Sequence, residues 1–595
     1  MRSTTRYIAL GLASVLVAAC GQKDKDAPLA FVPADAPYVI ANLEVPDDAT
    51  RKAMLTQANT QLPAQLTQLE EFAARVEKKD PDGARLLRAF AAEFKGRNLE
   101  AVAHNDGIDL KGHMAIYGLG LAPVARMELT DPKAFEAFIS RLETAYGKKL
   151  EIAKAGAQNY RRYVSGVSGT QAILAVVGKQ AVVAMLPADA SAALVRQALG
   201  LDRPLKSMQQ TDRLAELAKT KGYQKWMLGD IDLTRALPLA IGGKDPLIAA
   251  MLKAHAEAES AKTGEPVANQ LKISPNCTTE AARIASRVPS ISFGYTRFDA
   301  THQDARFDIA LADDISNAFA GLKIALPGLG GAGSSPFDVS LAFPLVELRT
   351  FWMAQADAVA TKPFSCPSLA DLNQIFAKLG PAMQKAAIPP FGDMLGLRIS
   401  LDSLKPGTGS AMPSFTGRLV LGTSNPTGLL AMGQMMVPAL SSLKLKPDGK
   451  PLPLPKDMSS MMGQPAWVAM GEKALALGVG VGEEARLTST LNDRTGDVGQ
   501  MARIHVDGAM YLTWLQLMEQ KVDSLAAATA AINKGDDSPI DDADNGSSSS
   551  TADTVASSKA QFAAMEARAS RVDSIDSDVR IDTHGLVITS KTVLK

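Results

Sequence analysis

Short apolar runs, paired across tight turns, recur along this chain between long stretches of helical character. One run passes through Ile173-Leu174-Ala175-Val176-Val177, turns at Gly178-Lys179 and returns through Ala181-Val182-Val183. Another goes from Ala466 to Met470, turns at Gly471-Glu472 and returns through Ala474-Leu475-Ala476. Two apolar runs separated by a glycine-containing pair predict antiparallel hairpins. Further strands are predicted at Pro37–Ala41, Val124–Leu129, Leu228–Asp232, Pro336–Ser340, Gly417–Leu421 and Ile504–Asp507. The Ala-, Leu- and Lys-rich segments Ala49–Lys79, Ala84–Lys95 and Pro246–Lys262 predict helices, as do Pro132–Leu142 and Thr427–Leu440. Pro246 suits a helix start, where no amide donor is needed.

These elements occur twice in the same order. Ala285-Ser286-Arg287-Val288-Pro289-Ser290-Ile291 returns 284 positions later as Ala569-Ser570-Arg571-Val572-Asp573-Ser574-Ile575. The other matching elements are displaced by 275 to 299 positions, so one plan with small insertions accounts for both halves. The predicted fold is α+β: two tandem pseudo-repeats, residues 31–325 and 335–595, each an antiparallel sheet covered by long helices. Residues 326–334, Leu326-Pro327-Gly328-Leu329-Gly330-Gly331-Ala332-Gly333-Ser334, read as a Gly-rich linker between them. Residues 534–558, with Asp536-Asp537-Ser538-Pro539 and four consecutive serines from Ser547, read as a disordered insert in the second repeat.

Composition narrows the class without naming an activity. The 595 residues carry 63 Lys+Arg against 63 Asp+Glu, which removes the basic excess that a nucleic-acid surface requires. Only 5% of residues are aromatic, which argues against stacking platforms for glycans or single strands. The first residues are different in character: Arg2 and Arg6 precede an apolar run from Tyr7 to Val17, followed by Val17-Ala18-Ala19-Cys20-Gly21. A charged start, a short apolar core and small residues describe a secretory signal too short for a permanent span.

Val17-Ala18-Ala19-Cys20 also resembles the lipobox of bacterial lipoproteins. That resemblance implies a signal peptide over 1–19, a lipidated N-terminus and tether over 20–30 with the acyl chains on Cys20, and membrane attachment without a spanning helix. Gly21 at the position after the cysteine implies the outer membrane, periplasmic side. With Cys20 committed to lipid, Cys277 and Cys366 remain, an even pair in an oxidising compartment, and a disulfide between them is expected. The alternatives are two buried free thiols, or a metal site that lacks any nearby ligand pattern. Such a bridge would cross from the first repeat to the second.

Candidate chemistry is sparse. Gly328, Gly330 and Gly333 fit G-x-G-x-x-G, but strand-like Phe337–Phe343 follows where the dinucleotide motif needs a helix. No G-x-S-x-G or H-E-x-x-H occurs, and the histidines at 104, 113, 255, 302, 505 and 584 are scattered. Asp230 and Asp232 read as a strand end with a helix N-cap rather than as paired catalytic carboxylates. Asp541 to Gly546 starts like a calcium loop but lacks the third-position ligand and the glutamate at Ala552. Met432, Met435, Met436, Met458, Met461 and Met462 form two clusters whose spacing suits a candidate apolar groove better than a copper site. No cofactor or metal is expected.

The whole resembles, loosely, the large envelope lipoproteins of Gram-negative bacteria, whose mature part often begins with a phrase like Val32-Pro33-Ala34-Asp35-Ala36-Pro37-Tyr38. The expectation is a lipid-anchored, non-enzymatic protein that binds a periplasmic or outer-membrane macromolecule. The alternative is a carrier or sensor of an apolar ligand such as a lipid, held in a sheet–helix cavity.

Overall fold

The computed structural model describes residues 24–270, 274–331, 333, 335–386, 388–405, 414–461, 463–535 and 551–595. Cys20, Met462, the Asp541–Gly546 segment and residues 536–550 of the expected insert lie outside them. At the insert's edges the helix Gly508–Gly535 runs through 534 and 535, and the helix Thr551–Ala569 contains 551–558. The polar composition there does not prevent helix.

The fold is α+β and its strands form one large antiparallel sheet. In the first half of the chain these are β1 (Tyr38–Ala41), β2 (Met114–Leu119), β3 (Ala122–Glu128), β4 (Glu151–Ala155), β5 (Gln158–Val164), β6 (Thr170–Val177), β7 (Gln180–Pro187), β8 (Leu228–Asp232), β9 (Ser290–Phe298) and β10 (His302–Ala310). In the second half they are β11 (Phe337–Ala342), β12 (Met394–Lys405), β13 (Ser414–Thr423), β14 (Leu452–Pro453), β15 (Ala466–Met470), β16 (Ala474–Val479), β17 (Gln500–Asp507), β18 (Val572–Asp582) and β19 (Gly585–Leu594). Neighbours along the first half run β4-β5-β6-β7-β3-β2-β1-β8-β9-β10. The sheet continues β19-β18-β17-β11-β12-β13-β16-β15-β14. The join is β10 against β19, with His302–Ala310 opposite Gly585–Val593 without a bulge.

Local chemistry sets the elements. The predicted hairpin turn at Gly178 adopts φ +60°, a region that L side chains avoid. The helix Pro132–Tyr146 starts on Asp131, whose carboxylate accepts the Lys133 and Ala134 amides, and stops at left-handed Gly147. Its Phe135, Phe138 and Ile139 pack on Met127, Leu174 and Val176 of the sheet. The helix Pro81–Phe94 packs outside it through Leu86, Ala89 and Leu142. On the other face Val39, Tyr117, Val124 and Val182 pack beneath the short helices Ala192–Leu199 and Arg213–Lys221.

Within the expected linker 326–334, residues 326–330 are packed against the body. Leu326 and Leu329 are completely buried on the second half of the sheet with Val420, Ala476 and Leu487. The glycines serve close approach, since a Cβ on Gly328 would stand 2.1 Å from Arg398 Nη1 and one on Gly330 2.1 Å from the Thr495 carbonyl. In the first half, Pro28–Val32 occupies the comparable place, with Phe31 and Val32 buried. We call these two segments straps.

Cys277 and Cys366 form the expected disulfide, with Cα atoms 4.8 Å apart and both residues buried. Glu280, one turn along the helix Cys277–Ala285, accepts the Ser365 and Cys366 amides at 2.9 Å each and the Ser365 hydroxyl at 2.7 Å. Arg283 stacks over Phe364 at 4.2 Å and donates to the Lys362 carbonyl. Across the join, the helix Thr551–Ala569 packs on the helix Asp48–Val76, and Arg571 donates to Thr60 at 2.6 Å.

Replacing both cysteines by serine opens an 89-residue loop and is expected to lower unfolding free energy by up to about 4 kcal/mol, measured by urea titration. Burial pushes the Glu280 carboxyl up, but the Ser365 and Cys366 donors outweigh it and hold it below its ordinary 4.5. A depressed carboxyl stabilises above its unfolded value, and that stability is lost as pH falls through the folded one. Wild type is therefore expected to lose thermal stability below about pH 4.5 more steeply than Glu280→Gln, measured by melting curves from pH 7 to 3.

Candidate functional site: the apolar face of the sheet

Residues directly opposite in an antiparallel ladder share a face, so register defines what each face carries. One cross-strand row starts at Leu174 and passes through Val183, Ala125, Ile116, Ile40 and Gly229 to Phe293. It crosses the join as Phe293, Phe307, Ile588 and Val579. It then runs through Ala502, Leu341, Leu397, Leu421 and Leu475 to Met470. Every position is apolar or glycine. A parallel row in the second half adds Ile504, Val339, Ile399, Leu419, Leu477 and Val468.

This face is only partly covered. Phe307 is 43% exposed, Leu341 42%, Val183 40% and Ile399 37%, although all four lie in the interior of the sheet. Most of the remaining row is half-buried. A scattered exposed apolar residue needs no explanation, whereas a contiguous strip marks a contact or ligand surface. Two helices of the second half also bury little of themselves. The helix Ala370–Ala386 buries no residue and exposes Ile375 at 57%, and the helix Leu345–Thr361 beside it buries Ala356 alone.

The opposite face carries the charges. Asp338 on β11 is wholly buried and accepts two hydrogen bonds from Arg398 on β12, at 3.0 and 2.7 Å. Arg503 on β17 lies 3.0 Å from the same carboxylate and donates Nε–H to the Gly328 carbonyl. Arg418 on β13 pairs with Glu483 at 2.7 Å and Asp402 at 2.8 Å, and donates to Ser335. Burial opposes the Arg398 charge, but Asp338 and Asp493 outweigh it and raise its basicity. In the first half Arg126 on β3 is 1% exposed and donates to Tyr117, Gln180 and the Ala198 carbonyl, with its guanidinium 4.0 Å over Phe31. Burial lowers its basicity. A strap closes over Arg126, Arg398 and Arg503, and Arg418 is buried with Glu483 and Ser335, so these groups hold structure and are not open to a substrate.

The residues singled out from sequence do not converge on a reaction centre. Met435 and Met436 end the helix Pro426–Met436 at 78% and 73% exposure, while Met458 packs beside Leu443, Leu454 and Val479. Met432 is half-buried. Asp230 pairs with Arg213 at 2.6 Å, and burial raises its pKa. Asp232 stands at the N-cap of the helix Leu233–Gly242 but caps no amide; it bonds Thr234 and Arg235 instead, which corrects the capping expectation. His505 lies between Asp576 and Asp507, at 2.8 and 3.2 Å. Among the described residues no three His, Cys, Asp or Glu side chains gather as a metal site, and no helix is long and apolar enough to cross a membrane.

At the rim of the first half, a cleft of about 620 Å³ opens between Pro33, Ala36, Leu119, Leu194, Pro238 and Leu239. A second, of about 500 Å³, shares Leu194, Gln197 and Pro246 with it. Both fall within the size range of small-ligand sites and are lined mainly by apolar side chains. No family model, curated protein sequence or solved structure matches this chain.

Gly328 has φ +88° and a blocked Cβ position, while Gly331 has a Cβ position with nothing nearer than 3.9 Å. Gly328→Ala is expected to cost at least about 2 kcal/mol and Gly331→Ala almost nothing, measured by urea unfolding. Equal, small effects would mean that 326–334 behaves as a linker after all.

Proposed function

We propose that this is a non-enzymatic, lipid-anchored envelope protein whose sheet binds apolar ligands such as lipid acyl chains beneath its helices. The observation that carries this reading is the unbroken apolar row from Leu174 to Met470, left partly exposed where a sheet interior is ordinarily sealed. An extended apolar chain is the simplest occupant of a long strip without polar interruptions, because it needs no hydrogen-bonding partner.

We read the body as two tandem pseudo-repeats. Support comes from strand order: outward from the join, β10-β9-β8-β1-β2-β3-β7-β6 has the same connectivity as β19-β18-β17-β11-β12-β13-β16-β15. The straps agree as well. Val32 accepts the Met208 amide in the stretch that follows the helix Ala192–Leu199, and Arg494 accepts the Gly328 amide in the stretch that follows the helix Glu484–Leu491. The lipobox-like start supports acylation of Cys20 and a place on the periplasmic side of the outer membrane.

A second reading, capture of an envelope protein, is favoured by Met435 and Met436, which stand exposed at a helix end, since methionine suits adaptable protein contacts.

The test uses purified full-length protein and a photoactivatable fatty acid. Crosslinks are expected on row peptides containing Phe307, Leu341 or Ile588, and the double variant Phe307→Glu, Leu341→Glu is expected to retain roughly tenfold less probe with an unchanged melting temperature. Crosslinks confined to other surfaces, or undiminished in the variant, would overturn the lipid reading and leave the protein-partner one.

A further inference from the structure

We propose that the loop 201–207 docks into the bilayer surface, with Leu205 inserted among the lipids and Lys25, Arg203 and Lys206 at headgroup level. The proposal rests on the reading of Cys20 as the acylated residue, and it concerns a surface that reading does not specify.

The chain leading into the first strap is held to the body from Asp24, the first described residue. Gln209 donates to the Asp24 carbonyl at 2.8 Å, Gln180 to the Asp26 carbonyl at 2.6 Å, and Arg203 to the Asp26 carboxylate at 2.6 Å. Arg203 also donates to the Lys25 carbonyl. The Phe31 ring lies between two guanidinium groups, Arg126 and Arg203, each 4.0 Å from its centroid. Further on, the Ala34 amide meets the Lys206 carbonyl at 2.9 Å and the Met208 amide meets the Val32 carbonyl at 2.7 Å. Strap and loop are therefore one unit, and the part of the expected tether over 20–30 that precedes the held Asp24 is the four residues from Cys20 to Lys23.

Four residues reach at most about 14 Å. The headgroup layer on one side of a bilayer takes up roughly 6 Å of that distance. An acyl-bearing Cys20 thus brings Asp24 and the side chains that grip it to within about 10 Å of the headgroups, whatever path the intervening residues take.

Leu205 belongs to that surface and is fully exposed, at 107% of its reference area, more than any other large hydrophobic residue described. It is presented by an ordered backbone: Pro204 precedes it, and the Lys206 carbonyl, the Ser207 bridge to Pro33 and the Met208 amide all bond the strap. A fully exposed leucine on a fixed loop, flanked by long cationic side chains, suits an interface where an apolar tip enters acyl chains and cations remain with phosphates. The adjoining anchor supplies the reason to choose a bilayer over another occupant.

The experiment uses the acylated full-length chain carrying Leu205→Cys, labelled with an environment-sensitive fluorophore and reconstituted on vesicles of phosphatidylethanolamine and phosphatidylglycerol. Cys277 and Cys366 are bridged and the Cys20 thiol is acylated, so the new thiol is the one that labels. The same label at Lys450→Cys, on the second half, is the comparison. The expected result is at least about a twofold rise in emission at 205, quenched by bilayer-embedded quenchers, with no change at 450. Equal water exposure of both labels, on protein whose Cys20 peptide carries acyl mass, overturns the docking alone. A Cys20 peptide without acyl mass overturns the anchor reading instead. Burial of the 205 label by an added envelope protein, with no response to bilayer quenchers, makes the loop a protein contact and also overturns the proposal.

Discussion

The pairing of β10 with β19 is the constraint on which the rest of the architecture depends. Without it each half would present a long unpaired edge, a row of amide and carbonyl groups open to any other strand. Nine residues of each strand meet without a bulge, so register is fixed across the join. Because side chains alternate with a period of two, a slip of one residue would carry Phe307 and Ile309 to the face that now holds Arg306 and Asp308. The disulfide and the Glu280 contacts are a second link between the halves, tying the helix Cys277–Ala285 to Ser365 and Cys366. The apolar row crosses the middle of the molecule only because this register is kept.

The two faces of the sheet reverse the usual arrangement. Asp338, Arg398 and Arg418 are sealed on one face, whereas leucines, isoleucines and phenylalanines on the other stay partly open. Burying guanidinium groups requires partners for every charge and a cover that fits closely over them. The straps provide that cover for Arg126, Arg398 and Arg503, and in the second half the fit requires glycine at 328, where a side chain would displace the Arg398 guanidinium. The first half solves the same problem differently: among the described residues Arg126 meets Tyr117, Gln180, a carbonyl and the Phe31 ring rather than a carboxylate.

Much of the fold was legible because alternation and turn chemistry are local signals. The hairpins around Gly178 and Gly471 appear where the pattern places them, and the helices Pro132–Tyr146 and Pro246–Thr263 match their predicted spans to within a few residues. The cysteine pair was legible by counting. The site was not, for a physical reason: alternation in Phe337-Asp338-Val339-Ser340-Leu341 says that two faces differ, but not which one is covered. That depends on a distant strap and on a helix such as Glu484–Leu491, which no short-range pattern links to β11. Glycine enrichment in 326–334 was likewise ambiguous, since flexibility and close approach call for the same residue, and only the position of Arg398 distinguishes them. Asp232 shows the same limit, because a residue of the right type at an N-cap position is bound elsewhere by Thr234 and Arg235.

The unequal burial on the two faces also assigns them unequal mobility. Under the straps, Leu326, Leu329 and Leu487 are sealed around paired charges, and opening that side would expose both the apolar core and the unscreened ions. Cover on the other face is uneven: the helix Pro132–Tyr146 packs Phe135, Phe138 and Ile139 onto it, whereas the helices Ala370–Ala386 and Leu345–Thr361 bury little of themselves. What those two helices do cover is the disulfide cluster, through Val359 and Leu372 against Phe364, Cys366 and Leu369, so the covalent clamp rather than a packed core limits how far they open.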